Sequence, residues 1–376
     1  MNAEPGSYDR DSMVASLDCF PLRLPLKKPM QLGGFRFDSV GVLYVRVTSV
    51  SGAEGWGEAI ADLGNAGETL RGMVGVIDAR FRELTVGRPV HERLSVLADL
   101  NGGVFANGGA ITAIDMALLD LAGKLRGAPV AEVLGGMHRR QVGKLAIVGG
   151  GNDKAALIDE VTQLLEDGVH AFKLKVGSLK VSEDIAMLAA VREAIGDDCF
   201  LAADANMAWD NAAALRFAKA AAEFGLDYLE QPVTADYQRM ASLGRVSPVA
   251  ISADEAIHDL NDILALYHLQ AITGASLKSI KLSGITSMLR VAVVADGLGM
   301  PVGLAMMMES GLATAAMTHA ACALPQVDWL LNPGSTFLAD QPIRHEPWLE
   351  GGHLACPQGP GLGVQVDEKE LERFLV

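Results

Sequence analysis

Apolar and polar positions alternate with a period of two over Val14 to Cys19 and again over Val42 to Val50. A turn at Ser51-Gly52 follows, then the stretch Gly55-Trp56-Gly57-Glu58. Together they predict a small antiparallel sheet, because successive side chains of a strand face opposite sides. Between the first two runs, Leu26 to Phe35 holds Lys27, Lys28, Pro29 and paired glycines, a composition that predicts a mobile loop. From Glu68 to about Gly136 the apolar spacing becomes helical, clearest in Ile111, Ile114, Leu118, Leu121 and Leu125, with Gly127 and Pro129 as stop signals. This first part is expected to be an α+β module.

From Lys144 onward short apolar runs alternate with helical stretches. The runs are Leu145 to Val148, Ala171 to Val176, Phe200 to Asp204, Tyr228 to Glu230, Val249 to Asp254, Ser276 to Ile280 and Val302 to Met306, with a weaker eighth near Trp329 to Asn332. A repeat of about 25 residues is the length of a strand, a helix and two loops. It predicts parallel strands joined by right-handed crossovers, and seven or eight such units close a barrel. The alternative, an open doubly wound sheet, carries a Gly-rich strand-to-helix turn. Gly149-Gly150-Gly151 follows the first run, but no G-x-G-x-x-G continues into the helix, so it reads as a plain turn. The tail from Gly351, with a short strand at Gly363 to Val366, is expected to return to the first module. The boundaries expected are 1–136, 137–335 and 336–376.

With 376 residues, half of them hydrophobic, the chain can bury a large core. Its net charge of −15 and pI near 5.0 oppose a role in gripping nucleic acid or an anionic membrane, since both need clustered Lys and Arg. Met1 to Ser16 is polar without an apolar run, and a cytoplasmic protein is expected. The four cysteines have no C-x-x-C pairing, which predicts neither a zinc site nor a disulfide framework but small core side chains.

The predicted strands end in charge. Lys173 and Lys175 share one strand and, by alternation, one face; Asp204, Glu230 and Asp254 close the next three; Lys278 lies in the sixth. Functional groups at successive strand ends belong at the carboxyl-terminal mouth of a barrel. Two ammonium groups ~5 Å apart repel by ~3 kcal/mol at an effective dielectric near 20, which predicts that one is lowered toward the range of a general base. Three converging carboxylates require a cation. With no imidazole or thiolate in the series, Mg2+ is expected first and Mn2+ second. Strands two and six of an eight-stranded barrel are opposed, so a carbon acid held between them would have one lysine on each face. The chemistry predicted is proton abstraction α to a carboxylate, with the cation stabilising the enolate.

Lys173-x-Lys175, Asp204-x-Asn206, Glu230-Gln231-Pro232, Ala253-Asp254-Glu255 and Lys278-x-x-Lys281-x-x-Gly284-Ile285 resemble the enolase superfamily, specifically its muconate lactonizing enzyme subgroup. Gly55-Trp56-Gly57-Glu58 and Ile114 to Asp120 resemble that family's capping domain. The resemblance implies an α/β fold, a modified TIM barrel of the (β/α)7β kind with an α+β capping domain built from the N-terminal part and the C-terminal tail. It implies Asp204, Glu230 and Asp254 as metal ligands, Lys175 and Lys278 as the acid/base pair, and Lys173 as the residue tuning Lys175. Lys281 is implied as the supporting lysine, since Lys278, Lys281 and Gly284 keep the family's register; Ser283 stands where the first glycine of its pair is usual. Asn206, Gln231 and Glu255 are candidates for orienting the carboxylates, or simply turn residues. Glu309 could hydrogen-bond Lys278 or touch substrate, and could equally belong to a helix cap with Ser310.

The eighth strand end reads Trp329-Leu330-Leu331-Asn332-Pro333 and lacks the D-x-D of dipeptide epimerases. The expected partner is a small-molecule carboxylate, and a homo-oligomer is expected. Two lysines on opposite faces predict racemisation or epimerisation of an N-substituted or cyclic amino acid. The alternatives are cycloisomerisation of a muconate-type diacid, which needs one lysine, and syn dehydration of a hydroxy acid.

Overall fold

A computed structural model describes residues 10–32, 35–344, 346 and 348–376. The N-terminal module is a three-stranded antiparallel sheet in the order β1 (Val14–Leu32), β2 (Phe35–Ser49), β3 (Glu54–Ile60). It is followed by helices α1 (Leu70–Val76), α2 (Arg93–Gly103) and α3 (Gly108–Arg126). β3 lies on α3 at backbone-contact distance. A Cβ on Gly55 would fall 2.1 Å from the carbonyl of Ala117, and one on Gly57 would fall 2.0 Å from that of Ala113. The two glycines of the Gly-Trp-Gly-Glu stretch are thus required by close approach.

The segment read as a loop over Leu26 to Phe35 is instead extended. β1 runs through Leu32, Met30 pairs with Phe37 after an irregularity that begins at Pro25, and Leu26 bridges Leu338. Lys and Pro are tolerated there because this is an edge of the sheet. Gly33 and Gly34 lie outside the described residues.

The second part is a parallel sheet in the order β5 (Ala146–Gly149), β6 (Ala171–Lys175), β7 (Phe200–Asp204), β8 (Tyr228–Glu230), β9 (Ala250–Ala253), β10 (Gly274–Leu277), β11 (Val302–Leu304). Leu331 bridges both Lys144 and Leu304 in parallel, so the weak eighth run closes the ring with a single paired residue. The helices are α4 (Lys154–Glu166), α5 (Val181–Ile195), α6 (Asn211–Glu223), α7 (Tyr237–Gly244), α8 (Leu260–His268), α9 (Ile285–Gly297) and α10 (Gly311–Ala323). The sixth strand ends at Leu277, short of the expected Ile280. Lys278 therefore lies just beyond the strand, and Ser283 and Gly284 turn the chain with φ of 57° and 114°. At Gly284 a Cβ would also meet Asp115 Oδ2 at 2.6 Å.

The tail contacts the first module. Leu362 N donates to Asp120 Oδ1 on α3 at 2.8 Å, and Leu375 bridges Leu22. The predicted strand at Gly363 to Val366 is reduced to one bridge, Val366 to Ile343. A second small antiparallel sheet runs in the order β12 (Leu349–Glu350), β13 (His353–Ala355), β4 (Gln141–Gly143). No helix among the described residues is long and apolar enough to cross a membrane.

Candidate active site

The register of the parallel strands brings the charged ends together. Lys175 pairs with Asp204 and Asp204 with Glu230, while Glu230 pairs with Ser252, two residues before Asp254. β7, β8 and β9, which carry or adjoin the carboxylates, separate β6 from β10. In the closed ring of eight positions, Lys175 and Lys278 therefore stand on opposite sides.

Each carboxylate is held by ammonium groups. Lys173 Nζ lies 3.0 Å from both Glu230 oxygens, and Ser276 Oγ donates to Glu230 Oε2 at 2.6 Å. Lys175 Nζ donates to Asp204 Oδ2 at 2.5 Å and to Asn206 Oδ1 at 2.8 Å. Asn206 Nδ2 in turn donates to Glu255 Oε1 at 3.0 Å. Asp254 is shared: Lys278 donates to Oδ2 and Lys281 to Oδ1, both at 2.6 Å. Gln231 Oε1 accepts from the Asp254 and Ala256 amides at 3.0 and 3.2 Å, which fixes the loop that presents Asp254.

The expected repulsion between Lys173 and Lys175 is overturned for Lys173. Burial alone would lower its pKa, but Glu230 and Asp204 outweigh burial and raise it. A lysine facing a lysine is not the governing contact when a carboxylate sits 3.0 Å away. Lys278 is likewise raised, because Asp254 and Glu255 outweigh its burial. Lys281 is lowered by burial, with Asp254 opposing and the Lys278 charge adding. Asp254 is held well below the usual carboxylate range, since Lys278 and Lys281 overcome its burial. Glu255 is pushed up to about 7 by burial and by the nearby Asp254 and Asp204 charges.

Glu309 follows β11. Its Oε2 accepts from the Met307 amide at 2.7 Å, and burial followed by the Glu58 charge pushes it up to about 8. Ser310 is the N-cap of α10, accepting from Leu312 N at 3.2 Å. Sequence reasoning missed Met307, whose sulfur lies 3.5 Å from Lys278 Nζ and 3.8 Å from Asn65 Nδ2 of the capping module. It also missed Ser276, whose polarity inside an apolar strand was the available signal. Glu58 was read only as part of a motif. It accepts from Ser310 N and Oγ at 2.6 Å and from Ala313 N at 2.9 Å, seating the capping sheet on the start of α10.

The donor set of Asp204, Glu230 and Asp254 is all hard oxygen, the chemistry a small divalent cation takes. Beside it Glu255 Oε2 is buried without a hydrogen-bond partner. In the present side-chain arrangement the lysines occupy these oxygens, and no three His, Cys, Asp or Glu among the described residues form an ion-holding group. The residue types and strand adjacency fit a cation; the rotamers serve the ammonium groups.

Two family profiles match the chain: "Mandelate racemase / muconate lactonizing enzyme, N-terminal domain" over residues 17–135 and "Enolase C-terminal domain-like" over 156–370. Muconate cycloisomerase 1 of Pseudomonas putida is 31% identical, covering 93% of this chain and 94% of the relative. N-succinyl-L-Arg/Lys racemase of Bacillus cereus is 24% identical over 96% of this chain and 98% of its own length. The solved muconate lactonizing enzyme from Pseudomonas fluorescens, complexed with muconolactone, superposes with a TM-score of 0.93 at 30% identity, covering 97% of this chain and all of the other. Barrel, cap, strand-end charges and both profiles agree, and the chain belongs to the mandelate racemase/muconate lactonizing enzyme family of the enolase superfamily as one of its isomerases.

Proposed function

We propose that the protein is a Mg2+-dependent cycloisomerase acting on a muconate-type dicarboxylate. The observation that carries this reading is the inequality of the two opposed amines. The Lys175 side chain is 23% exposed, whereas that of Lys278 is 6% exposed, tied to Asp254 and touched by Met307. One open lysine suits a reaction that moves one proton, and the similarity to muconate cycloisomerases supports the reading that the sequence ranked second.

In this reading Asp204, Glu230 and Asp254 hold the cation, which when bound supplies Lewis-acid stabilisation of charge on the substrate's carboxylate. Lys175 transfers the proton at the carbon α to that carboxylate while the distal carboxylate forms or breaks the lactone C–O bond. Asn206 positions Lys175 by accepting from its Nζ and is itself held by Glu255. Lys278, across the barrel, supplies a fixed positive charge. Assembly into homo-oligomers belongs to the same proposal, and the fully exposed Phe105 ring is consistent with it.

The second reading, racemisation of an N-acylated amino acid, is favoured by the opposed placement of the lysines and by the similarity to the succinyl-amino-acid racemase. An assay with Mg2+ separates the two. Loss of diene absorbance with lactone formation from a cis,cis-dienoic diacid is expected. Inversion of N-succinyl amino acids, with the diacid untouched, would replace the first reading by the second.

A further inference from the structure

Away from the barrel mouth, Cys322, in the last turn of α10, and Cys356, just after β13, are both buried in one small cluster with Ala131. The two side chains share that cluster, close enough for each to perturb the other's proton. One turn before Cys322 on α10, His319 places Nδ1 3.3 Å from Cys356 Sγ. The tautomer of His319 follows from its partners. Nε2 faces the Leu362 carbonyl at 3.2 Å and must donate, so Nδ1 is the lone-pair nitrogen, which also accepts from the Ala131 amide at 3.2 Å. A base thus faces one thiol of a contacting pair. The Arg139 guanidinium, donating to the Ala321, Leu324 and Pro325 carbonyls around the end of α10, makes the surroundings of Cys322 positive.

We propose that Cys322 and Cys356 are an oxidisable pair that closes to a disulfide when hydrogen peroxide is the oxidant, fastening the C-terminal segment to α10. The neighbouring Cys356 lowers Cys322 against burial, with Arg139 assisting, while Cys356, whose Sγ faces His319 instead, is raised. Cys322 is therefore the attacking sulfur. Its thiolate attacks one peroxide oxygen; an S–O bond forms, the O–O bond breaks, and the departing hydroxide takes a proton and leaves as water. Cys356 then gives its proton to His319 Nδ1 and displaces hydroxide from the Cys322 sulfenic acid. The S–S bond forms, the S–O bond breaks, and the hydroxide recovers that proton from His319 as a second water. Two thiols lose two electrons to one peroxide, and His319 ends neutral. Access comes from the tail side, because β12, β13 and β4 are only two to three residues long and short edges open locally before a packed helix does.

The test treats the folded, full-length protein with hydrogen peroxide, blocks remaining thiols, and digests without reductant. The expected result is a Cys322 peptide joined to a Cys356 peptide, with two of the four thiols lost to titration, reversed by a dithiol. In Cys356→Ser, oxidation of Cys322 is expected to stop at a sulfenic acid that a dimedone probe captures. Cys322 and Cys356 remaining reduced while the half-buried Cys19 reacts would overturn the proposal. So would a cross-link that forms only in denaturant.

Discussion

At the scale of single residues, the site is a set of buried charges whose partners decide their behaviour. Lys173, Lys278 and Asp254 are all shifted toward their charged forms by oppositely charged neighbours, and this outweighs desolvation. The identity of these residues was legible in the sequence because each interrupts an apolar strand. Their pairing was not: Lys173 and Lys175 are neighbours in sequence, but Glu230 and Asp204 reach them from other strands. Glu58 escaped for the same reason, since Ser310 and Ala313 lie more than 250 residues away. Burial pushes Glu58 up to about 7 despite those hydrogen bonds, with the Glu346 charge adding to burial. A carboxyl whose folded pKa exceeds its unfolded value of 4.5 holds a proton in the folded state that the unfolded state has lost. Its contribution is therefore fully present below about pH 4.5 and declines as pH rises to about 7, by at most about 3 kcal/mol. Denaturant titrations of the parent and Glu58→Gln across that window are expected to diverge as pH rises, with the parent losing more stability. Parallel curves would remove Glu58 as the cause.

Among the elements, those with a strict period were readable and those set by tertiary partners were not. The barrel strands announced themselves by short apolar runs about 25 residues apart, the second to sixth of them carrying charge at or near the end. The long end of β1 did not, because its Lys and Pro residues carry loop chemistry and its extension depends on pairing with β2 and on the bridge to Leu338. The eighth barrel position was faint for a physical reason: Leu331 alone makes both bridges. Close packing of β3 on α3 was hidden in two glycines. Gly57→Ala would drive a methyl group to 2.0 Å from the Ala113 carbonyl and 2.5 Å from the Ala117 amide nitrogen. Backbone atoms of a packed helix cannot yield as a side-chain tip can, so a loss of about 3 kcal/mol or more is expected. Chemical denaturation checks it, and Gly75→Ala, where a Cβ meets nothing within 4 Å, serves as the comparison.

For the whole molecule, the cap and the barrel are joined by buried acids rather than by apolar contact alone. Glu58 seats β3 on α10. Asp115 accepts from Thr286 N and Oγ1 at 2.8 and 2.9 Å at the start of α9. Within the cap itself, Asp120 accepts from Trp56 N and Leu362 N, both at 2.8 Å, tying sheet, helix and tail. Each acid satisfies backbone donors that a helix start or a loop would otherwise leave unpaired. The seam runs past Asn65, Met307 and Lys278, so the capping module reaches the lysine that faces Lys175 across the ring.

In the proposed reaction Lys175, the more open of the two opposed amines, handles the proton α to the substrate carboxylate while Lys278 does not. The most direct test is the face of deuterium incorporation when the enzyme, with Mg2+, turns over a dienoic diacid in deuterated water. A single deuteron on one face is expected in the parent protein, and the same face, at reduced rate, in Lys278→Ala. In Lys175→Ala a loss of about 100- to 10,000-fold is predicted. Incorporation that survives in Lys175→Ala, or that comes from the opposite face and vanishes only in Lys278→Ala, would contradict it.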